Sequence, residues 1–475
     1  MALTKVTYSM IAGAAVNPVD FGADSTGSND STTAIQAAID SMSAGSCLYF
    51  PEGVFDFDVV DFDVENCVIT GPGIVKGTIN IKDQSQGFIV DGITFDASTI
   101  STTPRGITLD TCTIGAITNC FFLNLETAIF VNGSDASGQV SRITVSGNQY
   151  KNCSYFISTE QVTGFTFGVA DWIVSNNSGN ALVDHVFMNT FDGVTINDNV
   201  FFGSANPDYT RNGIRLVYGT WTTIHDNKFF ESGSESIYID QITNVNIHDN
   251  LHAWSGEYIQ TDAIYIKGVP TPGGAGFTNG TIHDETIIEP SGAGIHLDAN
   301  QQLVQIHHNY IYRPGANTRY FGSTPLTGAT VGVLLDTGVL YTTTNNNVVI
   351  TGTNTLPQGG TNQTNTHIDN LTSNGGFVET QTIEKFLTLS GTETSVNVGN
   401  WNYIAVAQSG ATNLSSITNS EGDKTISFRF YNSNTTLINS ANLKLRAGSN
   451  VTPAENNVIT FIVYSTSAVE IARNF

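Results

Sequence analysis

Three short stretches hold the residues of this chain best suited to chemistry: SIYID (236–240), AIYIK (263–267) and GIHLD (294–298). Apolar and polar residues alternate in each, the pattern of a half-buried strand. With Ile and Leu inward, the outward positions read Tyr238, Tyr265, His296 in one row and Asp240, Lys267, Asp298 in the next. Stacked strands lie about 4.8 Å apart, which puts Asp240 and Asp298 roughly 9.6 Å apart with Lys267 between them. Carboxyl groups about 6.5–9.5 Å apart can protonate a leaving oxygen and activate a water, the chemistry of inverting glycoside hydrolysis. Flanking carboxylates raise the pKa of one member towards that of a general acid. The plainer reading is a solvated Asp–Lys–Asp ladder worth well under about 1 kcal/mol per pair.

The stretches matter because they recur. HVFMN (185–189), GIRLV (213–217) and GVLLD (332–336) repeat the alternation, and GITLD (106–110), AIFVN (128–132) and YFIS (155–158) extend it upstream. A second motif accompanies it: VTINDN, TTIHDN, VNIHDN, GTIHDE and VQIHHN, ending at Asn199, Asn227, Asn250, Glu285 and Asn309. Weaker copies reach back to Asn177, Asn148, Cys120, Gly92 and Gly71. Self-similarity at intervals of about 20–50 residues marks a solenoid. Half of each repeat is constant in length and half is variable, as expected for stacked strands whose insertions leave through one set of turns. The expected fold is all-β, a right-handed parallel β-helix. Ile196, Ile224, Ile247, Ile282 and Ile306 should form one inward column, and the repeated Asn an amide ladder. An amphipathic helix over 30–42, with Asp30 or Ser31 as its cap, should cover one end. The strand spacing changes after residue 380, so 381–475 reads as a separate β-sandwich-like domain ending in a hairpin.

The outward row continues upstream to Arg215, and before it come Phe187, Phe156 and Phe130. An Arg–Tyr–Tyr–His column can stack against sugar rings and hydrogen-bond to their hydroxyls; equally, it can pack against another copy of the chain. Three long insertions, 201–211, 251–262 and 312–329, interrupt the same repeats. Long loops on a rigid scaffold are where binding and catalysis concentrate. They supply Tyr209 and Arg211 as binding candidates and Glu257 and Asp262 as further catalytic carboxylates. Asp208 and Glu235 are the reserve pair across a subunit boundary.

Composition narrows the function. Net charge is −24 and charged residues are 13% of the chain, against about a quarter in an average protein. That balance argues against nucleic acid and anionic membranes as partners. No stretch has the length of a membrane span, and the first residues show no apolar signal region. The five cysteines lie in the first third with no C-x-x-C spacing, so free buried thiols are expected. Metalloprotease, P-loop and nucleophile-elbow motifs are absent, and no metal or cofactor is expected.

The segment VNPVDFGADSTGSNDSTTAIQAAID…LYFPEGVF (16–55), together with the repeat, resembles the pectate-lyase-like parallel β-helix superfamily. The start, MALTKVTYSMIAGA, and the end, NSNTTLINSANLKLRAGSN…NNVITFIVYSTSAVEIARNF, resemble bacteriophage tailspikes and tail fibres that carry that fold. The resemblance covers nearly the whole chain. It implies a homotrimer in the virion tail that binds, and usually cleaves, a bacterial capsule, exopolysaccharide or O-antigen. Residues 1–18 would be a short attachment arm docking on another tail component, 19–380 the β-helix and 381–475 a trimerisation domain. No large head-binding domain precedes the repeat, which departs from the tailspike pattern. GIHL and AIYIK only echo the Gly-His-Gly and Arg-Ile-Lys signatures of polygalacturonases, and no adjacent Asp-Asp pair accompanies them, so that mechanism is not carried over. Three functions follow: a glycosidase using paired carboxylates; a lyase in which Tyr265, His296 or Lys267 removes a proton from a uronic acid whose carboxylate Arg215 neutralises; and a non-catalytic receptor-binding or structural spike.

Overall fold

The computed structural model describes residues 15–473 apart from 83–85, 99–103, 133–139, 160–167, 204–211, 259, 268–277, 299–300, 318–330, 337–338, 340–341, 351–366, 374–378, 383–385, 388–394, 398–402, 407–409, 419–423 and 431–432. Two compact units emerge, Met1–Thr380 and Gln381–Phe475.

The first unit is one 30-stranded sheet whose described pairings are parallel, each strand meeting its counterpart one coil later. A coil carries strands on three faces. Arg105–Leu109, Thr127–Val131, Asn212–His225, Ile237–His248, Ile264–Lys267, Ile295–Leu297 and Val333–Leu335 contribute to the first. The inward column forms as expected: Ile196 pairs Ile224, then Ile247, Ile282 and Ile306, and all five are fully buried. Period-two alternation thus produces one continuous core.

The His-Asp-Asn triplet explains how the chain turns between faces. The histidine ends a strand and points outward. The next residue takes a left-handed conformation, φ 56–57° at Asp198, Asp226, Asp249, Asp284 and His308, which short polar side chains tolerate best. The third residue turns inward. Asn148, Asn177, Asn199 and Asn227 each donate through Nδ2 to the Oδ1 of the next ladder asparagine, at 2.9, 3.0, 2.9 and 3.0 Å. Each also donates to a backbone carbonyl of the preceding coil. These bonds satisfy buried backbone groups that the corner would otherwise orphan.

The one α-helix among the described residues, Thr32–Asp40, is shorter than the expected span by about one turn. Ile35, Ala38 and Ile39 are buried against the first strands. Asp30 Oδ1 accepts from the Thr32 N–H, whereas Ser31 Oγ accepts from Asp24 N–H instead of capping the helix. No described helix is long and apolar enough to cross a membrane.

Gly71 marks a tight approach between coils. Its φ is +134°, and a Cβ there would lie 2.0 Å from the Phe50 carbonyl oxygen. Gly71→Ala is therefore expected to destabilise by about 1–3 kcal/mol. An unchanged midpoint in thermal unfolding would mean that this corner can relax.

The second unit departs from a sandwich. Phe386–Leu387, Tyr403–Val406 and Lys424–Phe430 pair in parallel, as do the short strands between them. Parallel partners need crossovers rather than hairpins, so this stretch also coils. The expected hairpin is present: Val458–Val463 pairs antiparallel with Ala468–Arg473 and closes the sheet on Lys424–Phe430. Phe428, Phe430, Ile459 and Phe461 form a separate core.

Candidate functional site

Three outward columns run along the first face. The middle one is Phe187–Arg215–Tyr238–Tyr265–His296–Leu334. On one side lie Asn189, Val217, Asp240 and Lys267 in register, followed by Asp298 and Asp336, whose N–H groups bond to Ile266 and Leu297 of the preceding coils. On the other side lie Asp184 and Asn212, with Glu235 and Asp262 in the next two coils. Upstream, the expected row needs correction. Phe156 is fully buried, and Ser158 holds the outward position between Phe130 and Phe187. Phe156 lies level with Ala128 of the preceding coil, and both are fully buried just before the face begins.

Side chains bind across these columns. Tyr265 Oη donates to Asp298 Oδ2 at 2.9 Å. His296 bonds through Nδ1 to Asp262 Oδ2 at 2.7 Å, and its Nε2 lies 3.4 Å from Asp336 Oδ1. Asp262 Oδ1 accepts from the Ala293 N–H at 2.6 Å. Asp336 interacts with Asp298 in the neighbouring coil. Lys267 Nζ donates to Asp240 Oδ2 at 2.8 Å. The Arg215 guanidinium sits between the rings of Phe187 and Tyr238, 5.3 and 5.5 Å from their centroids. Tyr238, Tyr265 and His296 continue the stack at 5.7 and 5.0 Å.

Electrostatics sort these groups into roles. Burial raises the pKa of Asp336; His296 opposes the rise, and the hydrogen bond and charge of Asp298 add to it. Asp336 therefore keeps its proton to higher pH than an ordinary carboxyl. Burial lowers the pKa of His296, but Asp262 and then Asp336 outweigh it, and the net shift is upward. Tyr265 is raised by burial and then by Asp298. Lys267 is raised chiefly by its bond to Asp240. In all three residues considered as proton-abstracting bases the shift thus favours the protonated form. Asp184, buried beside Asn212, is pushed up to about 6 by desolvation.

Of the residues singled out from sequence, Arg215, Tyr238, Asp240, Asp262, Tyr265, Lys267, His296 and Asp298 share this face. Glu257 does not: it is 2% exposed, and its backbone N–H is tied to Ser232. Tyr209 and Arg211, with Asp208, lie outside the described residues. Glu235 bonds to Ser234 and Thr261. Asp336 and Asp184 were not among the candidates. Asp336 was readable as the last outward position of GVLLD. Asp184 was hidden because it lies three residues before Phe187 rather than two.

The chain was also compared with known proteins. The family model described as "Periplasmic copper-binding protein (NosD)" matches residues 64–251 and, in an overlapping copy, 165–327, together more than half of the chain. No curated protein matches the sequence. Among solved structures, the catalytic unit of a GH87 alpha-1,3-glucanase from Streptomyces thermodiastaticus strain HF3-3 superposes with a TM-score of 0.56 at 15% identity, covering 76% of this chain and 69% of that one. The tailspike of Acinetobacter phage vb_AbaP_AS12 superposes with a TM-score of 0.50 at 14% identity, covering 97% and 81%. At such identities the likeness is one of fold.

Proposed function

We propose that this chain, which belongs to the family described as "Periplasmic copper-binding protein (NosD)", is a polysaccharide depolymerase that hydrolyses glycosidic bonds on the first face of a right-handed parallel β-helix. The observation that carries this reading is the neighbouring Asp298 and Asp336 carboxyls beside His296, whose Nε2 lies 3.4 Å from Asp336 Oδ1. Asp336, whose pKa burial and Asp298 raise, is the general acid that protonates the leaving oxygen. Asp298 is the second carboxylate. Neighbouring coils lie about 4.8 Å apart, nearer the roughly 5–5.5 Å between the carboxyls of retaining enzymes than the roughly 6.5–9.5 Å of inverting ones, so a retained anomeric configuration is the expected outcome. Asp240 is a weaker partner than its position implied, because Lys267 occupies its carboxylate. Asp262 orients His296, and the Arg215–Tyr238–Tyr265 stack is the platform for the sugar chain.

The fold shared with an alpha-1,3-glucanase and a phage tailspike agrees with action on polysaccharides. With the tailspike-like segments at both ends of the sequence, it supports a homotrimeric virion spike that acts on a bacterial surface polysaccharide. Light scattering at monomer mass, independent of concentration, would overturn the trimer. The copper in the family description does not fit this face: among the described residues no three His, Cys, Asp or Glu side chains gather to hold a metal ion. Both nitrogens of His296 face carboxylates, and the thiols of Cys112, Cys120 and Cys153 are buried and pushed up to about 12. The reaction above uses the chain's own carboxyls.

Digestion of capsule and lipopolysaccharide preparations tests the reading. New reducing ends with retained configuration, seen by proton NMR at early times, are expected. Products with a conjugated double bond would instead establish the lyase, and no fragments from any preparation would leave a binding spike.

A further inference from the structure

We propose that Arg215 anchors a sugar carboxylate, and that the substrate is a heteropolysaccharide in which an acidic sugar is set among neutral ones. The inference rests on the reading of the Arg215–Tyr238–Tyr265 stack as the sugar platform, and adds which sugars lie there. The guanidinium is held over the rings of Phe187 and Tyr238, 5.3 and 5.5 Å from their centroids. Such contacts occupy the two faces of a guanidinium and leave its N–H donors, which lie in its plane, free to bond. Among the described residues Arg215 forms no hydrogen bond and no ion pair. In a chain with 42 acidic and 18 basic residues, a half-buried cation without a bonded acid has a place for one.

The carboxylates nearby are engaged elsewhere. On one side of Arg215 the neighbouring outward residues are Asn189 and Val217, and Asp240 in the following coil holds Lys267 Nζ at 2.8 Å. On the other side Glu235 bonds to Ser234 and Thr261. Asp184 is the rival: Arg215 acts on its charge, but its Oδ1 accepts from Asn212 Nδ2 at 2.8 Å and no ion pair forms. A guanidinium fixed between two rings offers a preorganised fork, which binds a carboxylate through two parallel hydrogen bonds. The rest of the face sets how many acidic sugars fit. Asp240, Asp262, Asp298 and Asp336 follow in the next coils, and Lys267 and His296 are already turned to them. A polymer acidic at every sugar is repelled there, so neutral sugars lie on Tyr238 and Tyr265. Asp298 and Asp336 stand three and four coils beyond Arg215, roughly 14–19 Å along the face. The acidic sugar is therefore held away from the bond that is cut.

Binding by calorimetry tests this, with Asp336→Asn in every sample so that nothing is cut. Capsule and lipopolysaccharide preparations are offered to the full chain before and after carbodiimide–borohydride reduction of their carboxyl groups to alcohols. The native polymer held most tightly should lose at least about tenfold in affinity on reduction, as expected for hydrogen bonds to a charged group. Polygalacturonate, acidic at every sugar, should bind no better than the reduced polymer. Adding Arg215→Met, which keeps an apolar stem between the rings, should bring the native-to-reduced ratio of affinities to about one, and the ratio cancels any loss of packing. If no polymer binds more tightly than its reduced form, the proposal fails, and this arm needs no change at Arg215. If Arg215→Met keeps the full ratio, Arg215 only balances Asp184 and the proposal fails. Tight binding of polygalacturonate would overturn the isolated acidic sugar. Acid-dependent binding by a chain that cuts no preparation would sink the hydrolase and leave this site standing, whereas cleavage with equal affinity for native and reduced polymer would do the reverse.

Discussion

Asp336→Asn is expected to lower the depolymerisation rate by about 10²–10⁴-fold while leaving substrate affinity and thermal stability near those of the wild type. General acid catalysis contributes that range, and the asparagine has the same shape but no proton to give. The pH profile should carry the same signature. Because burial and Asp298 raise the pKa of Asp336, the acid keeps its proton to higher pH than an ordinary carboxyl. The wild-type rate should then fall on the alkaline side as pH rises through that raised value. Asp298→Asn removes the neighbouring charge and the nucleophile together. It should abolish most activity and move the alkaline limb of what remains to lower pH. Near-native activity in Asp336→Asn would refute the assignment and return attention to Asp240 with Asp298. Tyr265, His296 and Lys267 are poorer alternatives as bases, since the pKa of each is raised.

What could be read before the structure follows from how local each signal is. The Ile196–Ile306 column and the Asn ladder were legible because one residue type recurs at one position of a period-two pattern. The Asp240–Lys267–Asp298 series was legible for the same reason. What failed needed information that alternation lacks. Phe156 lies level with the buried Ala128, two residues before the outward Ser158. A three-residue step hid Asp184. Glu257 has the composition of a loop carboxylate but packs inward. The parallel pairing of the second unit depends on which strands meet, a non-local choice that strand-like stretches alone do not specify.

The Asn ladder has one unlike rung, and it sets the second large effect. Glu285 takes the asparagine position: its Oε1 accepts from Asn250 Nδ2 at 2.9 Å, and its Oε2 meets His252 Nε2 at 2.6 Å. Both side chains are fully buried. His252 in turn takes a phenylalanine position, stacking 4.9 Å from Phe229, which follows Phe201 at 5.2 Å. Glu285→Ala leaves His252 Nε2 buried without its acceptor, while Asn250 Nδ2 keeps the Ile224 and His248 carbonyls, and should cost about 3–5 kcal/mol, the usual penalty for breaking a buried pair from one side. The double variant Glu285→Asn, His252→Phe rebuilds the rung and the ring stack of the other coils. It also removes His252 Nδ1, which has no hydrogen-bond partner among the described residues. Exchanging a buried pair for well-packed, satisfied groups is often neutral or stabilising by about 1–4 kcal/mol. Denaturant unfolding of the single and double variants should therefore give effects of opposite sign. A ladder of identical rungs can pair one coil out of register, and one unlike rung distinguishes the correct neighbour. The double variant should accordingly refold in lower yield despite its equilibrium gain. Equal yield would reduce the Glu285–His252 pair to a local packing solution, and a double variant as unstable as Glu285→Ala would mean that this coil cannot accept the ladder's own residues.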